Sequence, residues 1–235
     1  MYRRSVKRYQ IKQPTDYLKR QAIQRASNFA LVRSMQARRT NWNTGMTREE
    51  LKKYDIFYDS YPSNTTGTTT LINGIATGNS YNEREGRQCY WKTIQVTGLL
   101  KPTIEYTLKP SRNDLYVIYD KQPGAALPAM TDIFMESKGG SPLNLDYRDR
   151  FIVLAHKSWV VGYSDVTNHY AFGQNAYTVN IFKRINMKTT FKGDTNALTD
   201  ISTGAIYLLT LGTESATDND FPSFYVTTRL RFSEK

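Results

Sequence analysis

The chain has 235 residues, a net charge of +11 and 39% hydrophobic residues, which is enough for one domain with a sizeable core. Its single cysteine, Cys89, excludes an internal disulfide framework and a cysteine-rich zinc site. No apolar run approaches the roughly 18 residues that a membrane helix needs, and the basic first 20 residues lack the apolar segment of a secretory signal. We therefore expect a protein of the cytosol or nucleus, without membrane insertion.

Positive charge is concentrated at the N-terminal end. Residues 1–45 contain eleven basic residues and one acid, Asp16, so they carry +10 and leave +1 for residues 46–235. We expect a basic arm over residues 1–45 and a nearly neutral domain over residues 46–235. This asymmetry predicts a polyanion partner, with nucleic acid favoured over an anionic membrane surface. The predicted nucleic-acid-binding residues are Arg3, Arg4, Lys7, Arg8, Lys12, Lys19, Arg20, Arg25, Arg33, Arg38 and Arg39.

The arm has two predicted parts. Residues 1–14 end at a proline and are expected to be flexible, whereas residues 15–39 contain no Gly or Pro and predict an amphipathic basic helix. Aromatic residues among the cations can stack on unpaired bases, each contributing about 1–3 kcal/mol. Two alternatives to nucleic-acid binding by the arm are a basic tail that is only solvated and a nuclear import segment. The apolar stripe of the helix is Leu18, Ala22, Ala26 and Phe29.

A joint is predicted between the arm and the domain, over residues 40–50. The Thr47 and Glu50 spacing matches a capping box, which would start a short helical turn through Lys52. From about residue 55 the hydrophobic pattern has period two, which is typical of half-buried strands. One further helical turn is predicted after Pro128.

Seven strands are predicted in the domain, and Gly, Pro, Asn and Asp mark the connections between them. Seven or eight strands with irregular loops indicate an all-β sandwich or barrel, and long gaps between some strands favour a jelly roll. The strands are expected at residues 68–72, 90–100, 114–119, 151–161, 177–187, 205–211 and 224–232.

No catalytic site, metal site or cofactor is predicted. His156 and His169 have no carboxylate or serine at a diagnostic spacing, and phosphate-binding and dinucleotide motifs are absent from the sequence. Trp91 and Trp159 lie in predicted strands and are expected in the core or at subunit contacts. An acidic loop is interpreted as solvated rather than as a cation site; its residues are Glu214, Asp218 and Asp220.

An ordered series of short motifs runs through the domain. It resembles capsid proteins of small circular Rep-encoding single-stranded DNA viruses, especially the geminivirus-like and genomovirus-like branch, over roughly residues 50–232. The motifs are ELKKYD at 50–55, IATGN at 75–79, REGR at 84–87, WKTIQVTG at 91–98, LYVIYDKQP at 115–123, LP at 127–128, TDIF at 131–134 and LNLDYRDRF at 143–151.

The resemblance implies a single eight-stranded antiparallel jelly roll and a T=1 icosahedral shell of about 60 copies. It also implies an arm inside the shell that contacts single-stranded DNA, a virion location, and a nuclear stage that a host import receptor would serve. It implies no enzymatic activity. Three alternatives remain open from the residues: a satellite-like coat protein that packages single-stranded RNA, a non-assembling single-strand-binding protein, and an enzyme or sugar-binding jelly roll.

Overall fold

The computed structural model describes residues 51–102, 110–161, 176–216 and 221–234. The chain divides into two units, Met1–Glu49 and Glu50–Lys235, and all described residues belong to the second. The predicted arm, its helix and the boundary at residue 45 lie outside the described residues and stay predictions. The same holds for His169, Asp218 and Asp220.

The described residues form nine β-strands, one short helix and two 3-10 turns. The helix α1 is Met130–Ile133, and the turns are Leu145–Tyr147 and Leu198–Asp200. The strands are β1 Lys52–Pro62, β2 Thr68–Leu71, β3 Gln88–Lys101, β4 Ser111–Asp120, β5 Phe151–Val161, β6 Tyr177–Phe191, β7 Ile201–Thr203, β8 Ala205–Gly212 and β9 Ser223–Glu234.

The strands form two antiparallel sheets. One has the order β1-β9-β3-β6-β7 and the other β2-β8-β4-β5, and every pairing within them is antiparallel. The chain passes repeatedly from one sheet to the other, which is the connectivity of a jelly roll. The predicted all-β jelly roll is confirmed. Nine strands are described rather than eight, because the three-residue strand β7 extends one edge of the larger sheet.

The core lies between the two sheets. In β9 every second side chain is buried, which confirms the alternation predicted for residues 224–232. Trp91 of β3 is fully buried; its indole N–H donates to Thr189 Oγ1 at 2.7 Å, and its ring lies 5.1 Å from that of Phe232. Trp159 of β5 meets Phe224 of β9 edge-on at 5.4 Å, so this pair joins the two sheets. Both tryptophans are core residues.

The seven predicted strands are all present, with bounds that differ by a few residues in most cases. The helical turn predicted after Pro128 is confirmed as α1, where the Asp132 carboxylate accepts a hydrogen bond from the Ala129 N–H at 3.0 Å. The prediction that a helical turn runs through Lys52 is wrong at Lys52. Lys52 begins β1, because it pairs with Phe232 and its ammonium group bridges Glu85 and Glu234.

Arg84 fixes the connection between β2 and β3 although its side chain is buried. Its Nε donates to Ile75 O at 3.0 Å and its Nη1 to Gly86 O at 2.9 Å, while Nη2 reaches Gly193 O in the turn after β6. The guanidinium also lies 4.2 Å from the centre of the Phe191 ring. The guanidinium can satisfy three carbonyl groups at once because each of its three nitrogens carries an N–H donor in one plane.

We expect Arg84→Lys to lower the free energy of unfolding by about 2–4 kcal/mol, because a lysine cannot reach all three carbonyls and leaves buried acceptors without donors. Urea unfolding followed by tryptophan fluorescence measures the loss. Arg87→Lys is the matched control, since Arg87 is exposed, and it should change stability by less than about 0.5 kcal/mol. Equal stability of the two variants would contradict this role for Arg84.

Candidate nucleic-acid interface

None of the eleven predicted binding residues, from Arg3 to Arg39, lies among the described residues. Their assignment therefore stays a prediction. The described residues begin at Leu51, which leads directly into β1. Strand β1 forms one edge of the five-stranded sheet.

We call this surface the basic face. It consists of the side chains of β1, β9, β3 and β6 that alternate with buried core residues and point away from the other sheet. The pairing aligns them in three rows across the four strands. The first row is Lys53, Arg231, Thr93 and Arg184; the second is Asp55, Arg229, Gln95 and Phe182; the third is Phe57, Thr227, Thr97 and Asn180.

Charge on the basic face is strongly positive. Three lysines at its margins extend it: Lys92 and Lys188 lie beside the Tyr90 ring, and Lys101 lies 4.2 Å from the centre of the Tyr225 ring. With Lys53, Arg184, Arg229 and Arg231 they make seven cations, opposed by Asp55 and Asp59. The face thus carries +5, so the remainder of residues 46–235 carries −4.

The first row brings like charges together. Lys53 is directly opposite Arg231 in the register of β1 and β9, an arrangement that destabilises an isolated sheet. Lys53 has a partial counter-ion in Asp55, whose carboxylate is 3.8 Å from its ammonium nitrogen. Neither the Arg184 nor the Arg231 side chain forms a hydrogen bond or an ion pair with any described residue. An anion above this row would relieve the repulsion.

The second row contains a two-point ion pair. Arg229 donates from Nε to Asp55 Oδ1 at 2.7 Å and from Nη2 to Oδ2 at 2.8 Å. These hydrogen bonds, helped by the positive charge of Arg229, lower the pKa of Asp55 and raise that of Arg229. The pair stays ionised at neutral pH and holds the guanidinium along the sheet beside Gln95.

Two phenylalanine rings stand exposed on the basic face. Phe57 of β1 is 73% exposed and Phe182 of β6 is 61% exposed. They lie on the first and fourth of the adjoining strands, three strand spacings or about 14 Å apart across the sheet, and in neighbouring rows. Threonine, glutamine and arginine side chains of β9 and β3 fill the space between them. The face therefore combines exposed rings, cations and neutral hydrogen-bonding groups.

A second exposed surface lies on the loop between β4 and β5, residues 121–150. The loop covers the outer face of the four-stranded sheet, where Ile133 and Phe134 pack against Tyr116. We call its exposed side chains the apolar loop surface. They are Leu127, Met135, Leu143, Leu145 and Tyr147.

Two fully buried carboxylates anchor this loop. Asp120 accepts hydrogen bonds from Arg150 Nε at 2.9 Å and Nη2 at 2.8 Å, so the pair closes the two ends of the loop. Asp114 accepts from the Gly140 N–H at 2.8 Å and also contacts Arg112 and His156. Because its anchors are buried, the loop holds its apolar side chains outward in a fixed arrangement.

The remaining candidate residues have structural roles. His156 lies 2.9 Å from Asp114 and stacks on Tyr116, with ring centres 4.1 Å apart.

Within the described ranges, no group of three His, Cys, Asp or Glu side chains is placed to hold a metal ion. The same ranges contain no helix that is both long and apolar enough to span a membrane. Glu214 is half-buried, and its backbone carbonyl accepts from Thr65 N–H.

Sequence reasoning did not identify the basic face or the apolar loop surface. The outward positions of Arg229 and Arg231 follow from the alternation in residues 224–232. Their grouping with Phe57 and Phe182 depends on the strand order, which no local pattern specifies. The ion pairs of Asp55 and Asp120 depend on register in the same way.

The family model described as "Geminivirus coat protein/nuclear export factor BR1 family" matches residues 2–235, which include both the predicted arm and all nine described strands. No curated protein matches the chain.

Cys89 should behave as a buried, unreactive thiol. Burial raises its pKa to about 12, so at pH 8 the reactive thiolate is scarce as well as inaccessible. We expect Ellman's reagent to label the native chain at pH 8 far more slowly than free cysteine, and to label one thiol per chain in guanidinium chloride. Rapid, complete labelling of the native chain would contradict the buried position.

Proposed function

The chain belongs to the geminivirus coat protein family, and from this premise we propose that it self-assembles into a small icosahedral shell that packages single-stranded DNA through its basic arm. The family places it among viral coat proteins, structural proteins of the virion. The family match over residues 2–235 is the observation that carries the proposal.

The charge distribution supports packaging by the arm. Eleven cations and one acid in residues 1–45 form an electrostatic tether whose affinity for nucleic acid falls steeply with salt. A shell of about 60 copies would gather on the order of 600 arm charges in one cavity. Such charge opposes closure until a polyanion neutralises it, so we propose that assembly and packaging are coupled. We also propose that the arm serves nuclear import.

The apolar loop surface supports self-assembly. Its five side chains are exposed in the isolated subunit, and buried carboxylates fix the loop that carries them. Burial of an exposed leucine or methionine contributes about 1–2 kcal/mol. We propose that a second copy of the chain covers this surface in the shell. A nearly neutral domain offers little electrostatic opposition to such contacts.

Deletion of residues 1–39 should leave the jelly roll folded and remove nucleic acid from the assembled particles, because the arm supplies most of the attraction for phosphate. The absorbance ratio at 260 and 280 nm, with nuclease typing of the contents, measures packaging and separates DNA from RNA. A full-length variant with all eleven arm cations replaced by Gln is the matched control and should also give empty particles. Normal packaging by either variant would contradict the role of the arm.

Met135→Ser combined with Leu145→Ser should raise the subunit concentration needed for assembly by at least about tenfold, since two apolar contacts are lost at each interface. Light scattering measures assembly, and nucleic-acid binding by the free subunits should be unchanged. Lys138→Ser is the control, because Lys138 is an exposed polar residue of the same loop. Assembly of the double variant at the concentration of the unaltered chain would exclude this surface as a subunit contact.

A further inference from the structure

We propose that the basic face is a second binding surface for nucleic acid, on which Phe57 and Phe182 stack on unpaired bases while Arg184, Arg229 and Arg231 contact phosphates. This inference rests on the proposed packaging function and gives the nucleic acid a fixed place on the folded domain. The ligand is single-stranded nucleic acid, bound with little dependence on sequence.

The charge of the basic face selects a polyanion. The face carries +5, whereas the rest of residues 46–235 carries −4. A two-fold contact between copies of the chain through this face would bring two surfaces of +5 together, which like-charge repulsion opposes. A phosphate backbone supplies a line of negative charge that can cross the first row from Lys53 to Arg184.

The exposed rings select an unpaired strand over a duplex. Base stacking on aromatic side chains needs a free base face, which a double helix does not offer at its sides. Phe57 and Phe182 present such rings at opposite margins of the face, with cations between them. Proteins that bind single strands without sequence preference combine these same elements: a basic surface and separate stacking platforms.

The residues between the rings can hydrogen-bond to any base. Thr97, Thr227 and Gln95 are neutral groups that both donate and accept, and they are aligned across β3 and β9. Arg229 donates to Asp55 at 2.7 and 2.8 Å, which uses two of its five N–H donors and leaves three for a phosphate. No base-reading module is required for such contacts.

Chain continuity links this surface to the arm. The predicted arm ends at residue 45, and Lys53, the first cation of the basic face, lies eight residues further along the chain. A strand bound by the arm is therefore tethered to the edge of the face by the backbone itself. The local concentration that such tethering provides makes weak contacts on the face effective.

The test uses full-length subunits, kept disassembled, and a fluorescent oligothymidine of about 16 nucleotides. Phe57→Leu with Phe182→Leu keeps both side chains apolar but removes the rings. We expect its affinity for the single strand to fall at least about tenfold, because each stacking contact contributes at least fivefold. The dependence of affinity on salt should be unchanged, and so should affinity for a duplex of equal length.

Variants of the cations test the phosphate contacts through the dependence of affinity on salt. In Arg184→Gln with Arg231→Gln, the slope of log affinity against log salt should decrease in magnitude by about 1.4, which is 0.7 for each lost phosphate contact. Lys121→Gln with Lys138→Gln is the matched control, since these exposed lysines lie on the loop of the other sheet, and its slope should not change. Asp55→Asn removes an acid from the face and should tighten binding.

Ultraviolet crosslinking identifies the contacting residues directly, even though the arm contributes most of the measured affinity. Irradiation of the complex, followed by mass spectrometry, should recover oligothymidine attached to peptides that contain Phe57 or Phe182. Unchanged binding by all face variants, with crosslinks confined to the arm, would overturn the inference and leave the proposed packaging function intact. Failure of the unaltered chain to bind a single strand at all would overturn both.

Reduced assembly of the phenylalanine variant without any change in binding would identify the basic face as a subunit contact and would also overturn the inference. Thermal unfolding of each variant checks that the fold is retained; the substituted side chains are exposed or half-buried, so their melting temperatures should remain within a few degrees of the unaltered chain.

Discussion

The insertion of β9 between β1 and β3 is the constraint on which the two faces of the larger sheet depend. Every second residue of β9 is buried, from Phe224 to Phe232, and the intervening residues form the centre of the basic face. A slip of one residue would place Arg229 and Arg231 in the core and expose the aromatic rings. The packing of Phe232 on Trp91 and of Phe224 on Trp159 therefore fixes the register that aligns the cations outside.

Buried polar groups determine where the connections lie. Asp120 holds the ends of the loop between β4 and β5, and Arg84 joins the connection after β2 to the turn after β6. Asn73 donates to Thr189 Oγ1 and Gly204 O, both at 2.9 Å, and accepts from Ile206 N–H. Such groups are satisfied in one arrangement only, so they specify loop positions more than they add net stability.

The sequence identified the elements that local pattern controls. Alternation in residues 224–232 predicted both the strand and its buried side. Strand β1 was not proposed as an element, because it begins with two lysines and a bulge between Tyr58 and Tyr61 interrupts its alternation. Strand β7 has only three residues, too few for a pattern. The basic face brings together Phe57 and Phe182, which are far apart in the sequence, and only the sheet order makes them neighbours on one surface.

Strand β8 is buried along its whole length, from Ala205 to Gly212. The other sheet covers one of its faces and the loop between β4 and β5 covers the other, while β2 and β4 pair with its edges. Its first seven residues, AIYLLTL, are uncharged and rich in strand-forming side chains, the composition of an aggregation-prone segment. While it is unfolded, this segment is open to pairing with its equivalent in another chain. Enclosure of β8 by the other sheet and by the loop between β4 and β5 removes that possibility, so the loop also protects the folded subunit from amyloid-like association.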